Sequence, residues 1–186
     1  MKNLLTVLVF MAMLSCDNSL TDKEKQEYSD KGKEIAQASF NALSEKLTEQ
    51  MKMGGTAQAI PFCNIEAMPL TQQLSAKYNV AIKRTSNKLR NQKNKPTQRE
   101  LEIINNYNQL ISDNKEIMPI VEVDINNKKH FYTPIIVKAN CLVCHGKPDE
   151  FVTMKTDSII KSLYPNDKAV GYNEGDLRGI WSITFK

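Results

Sequence analysis

Six residues, Cys141-Leu142-Val143-Cys144-His145-Gly146, restrict this chain more than any other stretch. Two thiols and an imidazole share one short run in a protein with four cysteines and two histidines in all. Whatever fold forms must present these groups to a common purpose. Four uses compete: a zinc knuckle, a redox dithiol, a disulfide, and an attachment point for haem. The choice depends on where the chain works and on what the other two cysteines do.

The N-terminus speaks to location. "MKNLLTVLVFMAMLSCDNS" carries one charge, Lys2, then an apolar run from Leu4 to Leu14, then Ser15-Cys16. That run is shorter than the ~18–20 residues that span a bilayer. A basic start, a short apolar stretch and a small residue before the cut describe a secretory signal. With Cys directly after Ser15 the segment resembles a bacterial lipoprotein signal, so cleavage before Cys16 and acylation of its thiol are expected. Residues 1–15 are then the signal peptide, and the membrane is reached through the lipid alone. The expected location is the periplasmic side, with inner and outer membrane both open.

Charge is mild. There are 25 Lys and Arg against 21 Asp and Glu, a formal +4, and the basic residues are spread among acidic ones. No stripe of the kind that tracks nucleic acid is present. A lipidated Cys16 leaves Cys63, Cys141 and Cys144, an odd number, so a disulfide framework fits badly.

The remaining uses of the motif differ in what they demand. Tetrahedral zinc needs four ligands, and the fourth would have to be Cys63 or His130. A redox dithiol does not call for the following histidine. Haem attachment uses every group: the two thiols reach the two vinyl groups, and the next residue brings its imidazole beneath the iron. One covalent haem c held by Cys141 and Cys144, with His145 as proximal ligand, is therefore the favoured reading. On the other face of the iron the candidates are Cys63, His130, Met51, Met53, Met68, Met118 and Met154. Cys63 stands out because it shares an apolar helix face with Ile60, Ala67 and Leu74 and has no disulfide partner left.

Along the chain, residues 16–33 are polar and read as a tether or a solvated helix start. Thr21 with Glu24 has capping-box spacing. Ile35, Phe40, Leu43, Leu47 and Met51 recur at helical intervals, and Gly54-Gly55 predicts a stop. Further helical patches cover "TAQAIPFCNIEAM" and "PLTQQLSAKY", the latter with Pro69 placed for a first turn. "NVAIKRTS" alternates like a strand. Thr97 with Glu100 opens a helix bearing Leu101, Ile104, Tyr107 and Leu110. "EIMPIVEVDI" and "HFYTPIIV" flank a turn and predict a β-hairpin. A short helix follows the motif, and the chain ends in a strand with Trp181, Ile183 and Phe185 on one face. Helices early and strands gathered late make an α+β domain over 34–186.

At this point the residues resemble a known family. "AIPFCNIEAMPLTQQLSAKYNVAIKRTSNKLRNQKNKPTQRE" is similar to the signature of a bacterial c-type haem domain first catalogued as a domain of unknown function. In this sequence the matching positions are Cys63, then Arg84-Thr85-Ser86, Arg90-Asn91, Asn94-Lys95-Pro96 and Glu100. "YTPIIVKANCLVCHG" and "VGYNEGDLRGIWSITF" resemble its haem strand and closing strand. The resemblance implies a PAS-like fold, an antiparallel sheet with packed N-terminal helices. It also implies covalent haem, axial ligation by Cys63 and His145, and use as a periplasmic sensor module. Arg84 and Arg90 are candidate partners for the haem propionates, since a guanidinium offers a carboxylate a two-pronged fork.

Three functions then compete. A sensor would use redox change, or a gas such as CO or NO, to displace a ligand. An electron carrier would dock a redox partner protein. An enzyme, such as a peroxidase, would need an acid–base group beside an open iron, and no distal carboxylate pair is evident. The expected function is a redox- or gas-responsive binding module, with electron transfer as the alternative and no enzymatic activity.

Overall fold

The computed structural model describes residues 19–186. The expected signal peptide and the lipidation candidate Cys16 lie outside the described residues.

The first helix, α1 (Asp22–Tyr78), opens on the expected capping box: the Thr21 hydroxyl accepts from the Glu24 amide, and the Glu24 carboxylate accepts from the Thr21 amide at 2.9 Å. It starts inside the segment read as a tether and is already packed there. Tyr28 meets Phe185 edge-on at 4.9 Å. Gly32 lies flat on Phe131, and a β-carbon in its place would come within 2.2 Å of that ring.

The predicted stop falls at Gly54-Gly55, where both residues leave helical geometry and a kink divides α1 into two helical segments. Gly55 sits at φ 61°, ψ −152°, a region essentially open to glycine alone, and the helix resumes beyond it. Pro61 and Pro69 therefore lie in the helix interior, where each removes one backbone hydrogen bond. Pro69 does not open a helix of its own. Among the described residues no helix is long and apolar enough to cross a membrane.

Four strands form one antiparallel sheet in the order β1-β4-β3-β2, with β1 (Val80–Thr85), β2 (Ile120–Val123), β3 (Lys129–Ile136) and β4 (Leu177–Phe185). The predicted hairpin is β2–β3. Its turn is closed by Asp124, whose carboxylate accepts from the amides of Asn126 and Lys128.

Period-two alternation gives the sheet two apolar faces. Val80, Ile82, Phe131, Trp181 and Ile183 meet Ile35 and Ala36 of α1. Tyr132, Leu177 and Ile180 meet Ile103, Ile104 and Tyr107 of α2 (Gln98–Ser112). Burying one such side chain contributes roughly 1.5–3 kcal/mol. The sheet is thus sandwiched between helices. Two further helices, α3 (Leu142–His145) and α4 (Met154–Leu163), follow β3 and pack at the end of the sheet against the resumed part of α1. There, the Thr56 and Thr156 hydroxyls bond at 2.7 Å.

Candidate functional site

The motif forms a tight local unit. A 3-10 turn over Ala139–Cys141 leads directly into α3. Leu142 turns into a small core with Val137, Ala169 and Tyr172, and Cys141 packs against that same core. Cys144 rests instead on the cluster of Ile60, Val152 and Ile160. Three free thiols, Cys63, Cys141 and Cys144, are each partly buried.

Four residues is too short for α3 to satisfy its own carbonyls. Its last carbonyls are met from outside. Arg90 donates to the Cys144 carbonyl at 2.6 Å, the Tyr172 amide to His145 at 3.0 Å, and the Gly171 amide to Gly146 at 2.9 Å. The motif is held by the rest of the chain as much as by its own turn.

His145 is fixed by the same loop. Its Nδ1 lies 2.7 Å from the Ala169 carbonyl oxygen. A carbonyl only accepts, so Nδ1 carries the hydrogen and Nε2 keeps its lone pair. Burial, then Arg178 and Arg90, hold the imidazole well below its ordinary pKa, against the Ala169 bond. The ring is neutral, oriented, and edge-on to Tyr172 at 6.3 Å. That is the arrangement of a metal-ligating histidine, whose second nitrogen is pinned by an outer partner.

Cys63 reaches the same place from α1. Burial pushes its thiol up, while Arg84 and Arg90 pull it down, and Cys144 feels its charge in turn. The structure therefore places Cys63, Cys144, His145, Arg84 and Arg90 within electrostatic reach of one another. His130 is engaged elsewhere, bonded to Asp124 at 3.1 Å and to Thr184 at 3.1 Å in the hairpin. Met53, Met118 and Met154 point mostly into solvent. Tyr132 and Trp181 are core residues, as expected.

The two predicted arginines differ. Arg90 is already occupied: Asp167 takes its fork at 3.1 and 3.3 Å, and Ala169 accepts at 3.2 Å. Its position makes it a clasp for the motif. Arg84 stacks over the Trp181 ring at 5.6 Å and forms no ion pair with any described residue. Sequence reasoning missed Asp167, Ala169, Tyr172 and Arg178. The loop carrying the first three has no periodicity, and nothing in its composition links it to the motif.

A cavity of about 530 Å³ opens on the far side of Arg90, lined among others by Asn64, Met68, Arg90, Lys93 and Tyr164 but by none of Cys63, Cys141, Cys144, His145 and Arg84. That is within the range of small-molecule sites. Among the described residues, no three His, Cys, Asp or Glu side chains are gathered closely enough to cage a metal ion. The donors present fit a flat, anionic, iron-bearing group better. They comprise two thiols three residues apart, a neutral imidazole with a free Nε2, a third thiol from α1, and half-buried arginines, of which Arg84 and Arg178 make no ion pair with a described residue.

An α+β domain with a clasped Cys-x-x-Cys-His turn at the end of its sheet defines the class. The Tll0287-like family matches residues 21–186, nearly all of the described chain, and the protein belongs to that family. Among solved structures, that of the cyanobacterial haem protein Tll0287 superposes with a TM-score of 0.61 at 21% identity, covering 89% of this chain and 96% of that one. At that identity the likeness speaks for the fold. No curated protein matches the sequence.

Proposed function

We propose that the chain is an exported c-type haem lipoprotein that works as a redox- or gas-responsive module. Haem, when bound, supplies an iron that changes oxidation state and exchanges ligands. Everything else falls to the residues. Cys141 and Cys144 would hold the haem covalently, each S–H adding across one vinyl C=C with nothing leaving. His145 would offer Nε2 to the iron, and Cys63, on α1, would offer its sulfur. Arg84 lies against the cofactor; Arg90, with Asp167, keeps the motif in place. The PAS-like reading is supported by the four-stranded antiparallel sheet backed by a long N-terminal helix.

The observation that carries this reading is the 2.7 Å bond between His145 Nδ1 and the Ala169 carbonyl. It selects a neutral tautomer with its free nitrogen available, which a merely structural histidine does not need. Cys63 is the switch candidate. Burial favours its protonated form, so with haem bound it would be the ligand more readily given up, taking a proton from solvent as it left. Electron transfer is the second reading, favoured by the exposed Val143, Phe151 and Met154 near the motif, an apolar patch at which a redox partner could dock.

Acid–acetone extraction of the native protein tests the core of the proposal. Colour should stay with the chain, and mass spectrometry should find one haem on the peptide containing Cys141 and Cys144. One zinc ion per chain, with no haem, overturns it. Binding of CO by the reduced protein separates sensor from carrier: a carrier with both ligands fixed takes up none.

A further inference from the structure

Two guanidinium groups at this site, Arg84 and Arg178, make no ion pair with any described residue, although the charge of Asp167 reaches Arg178. Arg84 has the Trp181 ring, the Cys63 thiol and Arg178 for neighbours. Arg178 lies 5.5 Å over the Tyr172 ring and donates to the Lys88 carbonyl at 3.3 Å. Lys88 adds a third cation, 4.2 Å above the same ring, bonded to the Val170 carbonyl. Arginine does not shed its proton to escape burial. Like charges gathered in a desolvated space are costly unless an anion joins them.

A break in the sheet brings Arg178 there. β3 and β4 pair Ile135 with Gly179 but Ile136 with Leu177, so Arg178 is the extra residue of a β-bulge. Regular alternation would have placed it with Ile180 and Ser182, toward α2. Bulges commonly re-aim a side chain beside a functional site, and here Leu177 takes the α2-facing place in the core. Beside Arg178 the Tyr172 hydroxyl is buried, and its polar neighbour is Arg178 itself, at a geometry short of a regular hydrogen bond. A guanidinium only donates, so the hydroxyl's own hydrogen still calls for an acceptor.

We propose that Arg84 and Arg178, helped by the Tyr172 hydroxyl, each receive one propionate of the haem, turned inward against the end of the sheet, and that Arg90 takes no part. This rests on the haem reading above. The charges match in number. Ferric iron, the porphyrin dianion and one thiolate sum to neutrality, so two carboxylates are the net charge the cofactor brings. Two unpaired guanidinium groups await them, while the third arginine is already neutralised by Asp167.

The test uses purified holoprotein with Arg84→Met, Arg178→Met and Arg90→Met. The first two should each shift the propionate bending bands in resonance Raman and lower the midpoint potential, because a cation near the haem favours the reduced state. The third should lower thermal stability and leave the propionate bands unmoved. If Arg178→Met does not accumulate, Arg178→Lys keeps the charge but loses the fork, and a smaller band shift is expected. Unmoved bands in the holo variants of Arg84 and Arg178, a response from only one of them, or a band shift from Arg90→Met overturns the pairing. Protein that carries no haem at all overturns the underlying reading instead, and the two failures are told apart by colour.

Discussion

Lys83 and Arg84 are neighbours on β1 and point to opposite sides of the sheet. Lys83 meets Glu100 of α2 at 2.7 Å, and that carboxylate is also held by the Thr97 amide at 2.7 Å. Arg84 meets an aromatic ring, a thiol and another arginine. One face of the sheet is finished by the protein's own groups. The other, at the end beside α3, holds thiols and two arginines that make no ion pair with any described residue. The difference separates scaffold from site: the Lys83 charge is answered within the chain, and the Arg84 charge is not.

The largest effect expected is loss of that something else. Cys141→Ala with Cys144→Ala should give colourless protein with lowered thermal stability, because the cations at Arg84 and Arg178 then lose their counter-charge along with the cofactor. Pyridine haemochrome spectra and thermal unfolding measure both. Colour retained after acid–acetone extraction of this double variant would break the comparison at its root.

Cys63→Ala comes next. A thiolate ligand favours the ferric state, so its removal should change the low-spin ferric EPR signal and raise the midpoint potential by on the order of 100 mV, within the ~0.8 V that axial ligands command. His130→Ala should leave that signal alone, since its ring serves Asp124 and Thr184 in the hairpin. The opposite result, an unchanged Cys63→Ala spectrum beside an altered His130→Ala one, would exchange their roles.

Breaking the clasp should cost stability. Arg90 and Asp167 are 13% and 5% exposed, and removing one partner of a buried ion pair typically costs about 3–5 kcal/mol. Asp167→Asn should therefore unfold at distinctly lower denaturant concentration than wild type. Arg99 with Glu122, a pair at 2.6 Å whose arginine is half exposed, should cost no more than about 1 kcal/mol by the same assay. Equal losses from the two would mean that the clasp is ordinary surface chemistry.

Much of this was legible beforehand, and unevenly. Both capping boxes, the hairpin and the faces of β4 follow from local rules, because the partners lie within a few residues or alternate with period two. The helix stop at Gly54-Gly55 is equally local, since Gly55 takes a conformation that glycine alone adopts readily. Cys141, Cys144 and His145 announced themselves by spacing. Arg178 could not, since a bulge set by the opposing strand turned it from the side that alternation assigns. Asp167 and Ala169 act through a loop carbonyl and a carboxylate brought to the motif by the fold alone. Cys16 lies outside the described residues, and its role stands on the signal sequence. If it is lipidated, Cys16→Ser should move the protein from the membrane fraction to the soluble one with its haem spectrum unchanged. A variant that still sediments with membranes after a high-salt wash would end that assignment.

The smallest effect belongs to the finished face and is a matter of pH. Burial works to raise the Glu100 pKa, but the bonds from Lys83 and the Thr97 amide outweigh it and hold the group below its ordinary value. A depressed carboxylate contributes stability that is fully present above the unfolded pKa, about 4.3, and is lost as pH falls through the folded one. Glu100→Gln keeps the shape of the capping box but removes the charge, at a cost of roughly 1–3 kcal/mol at neutral pH. Wild type and variant should therefore differ by a constant amount from pH 7 down to about 5, and the gap should narrow at lower pH as wild type loses its advantage. Denaturant midpoints of the two holoproteins across that range measure it. A gap that persists unchanged at pH 3 would mean that Glu100 acts by packing, and the charge on this side of the sheet would no longer explain why Lys83 is satisfied and Arg84 is not.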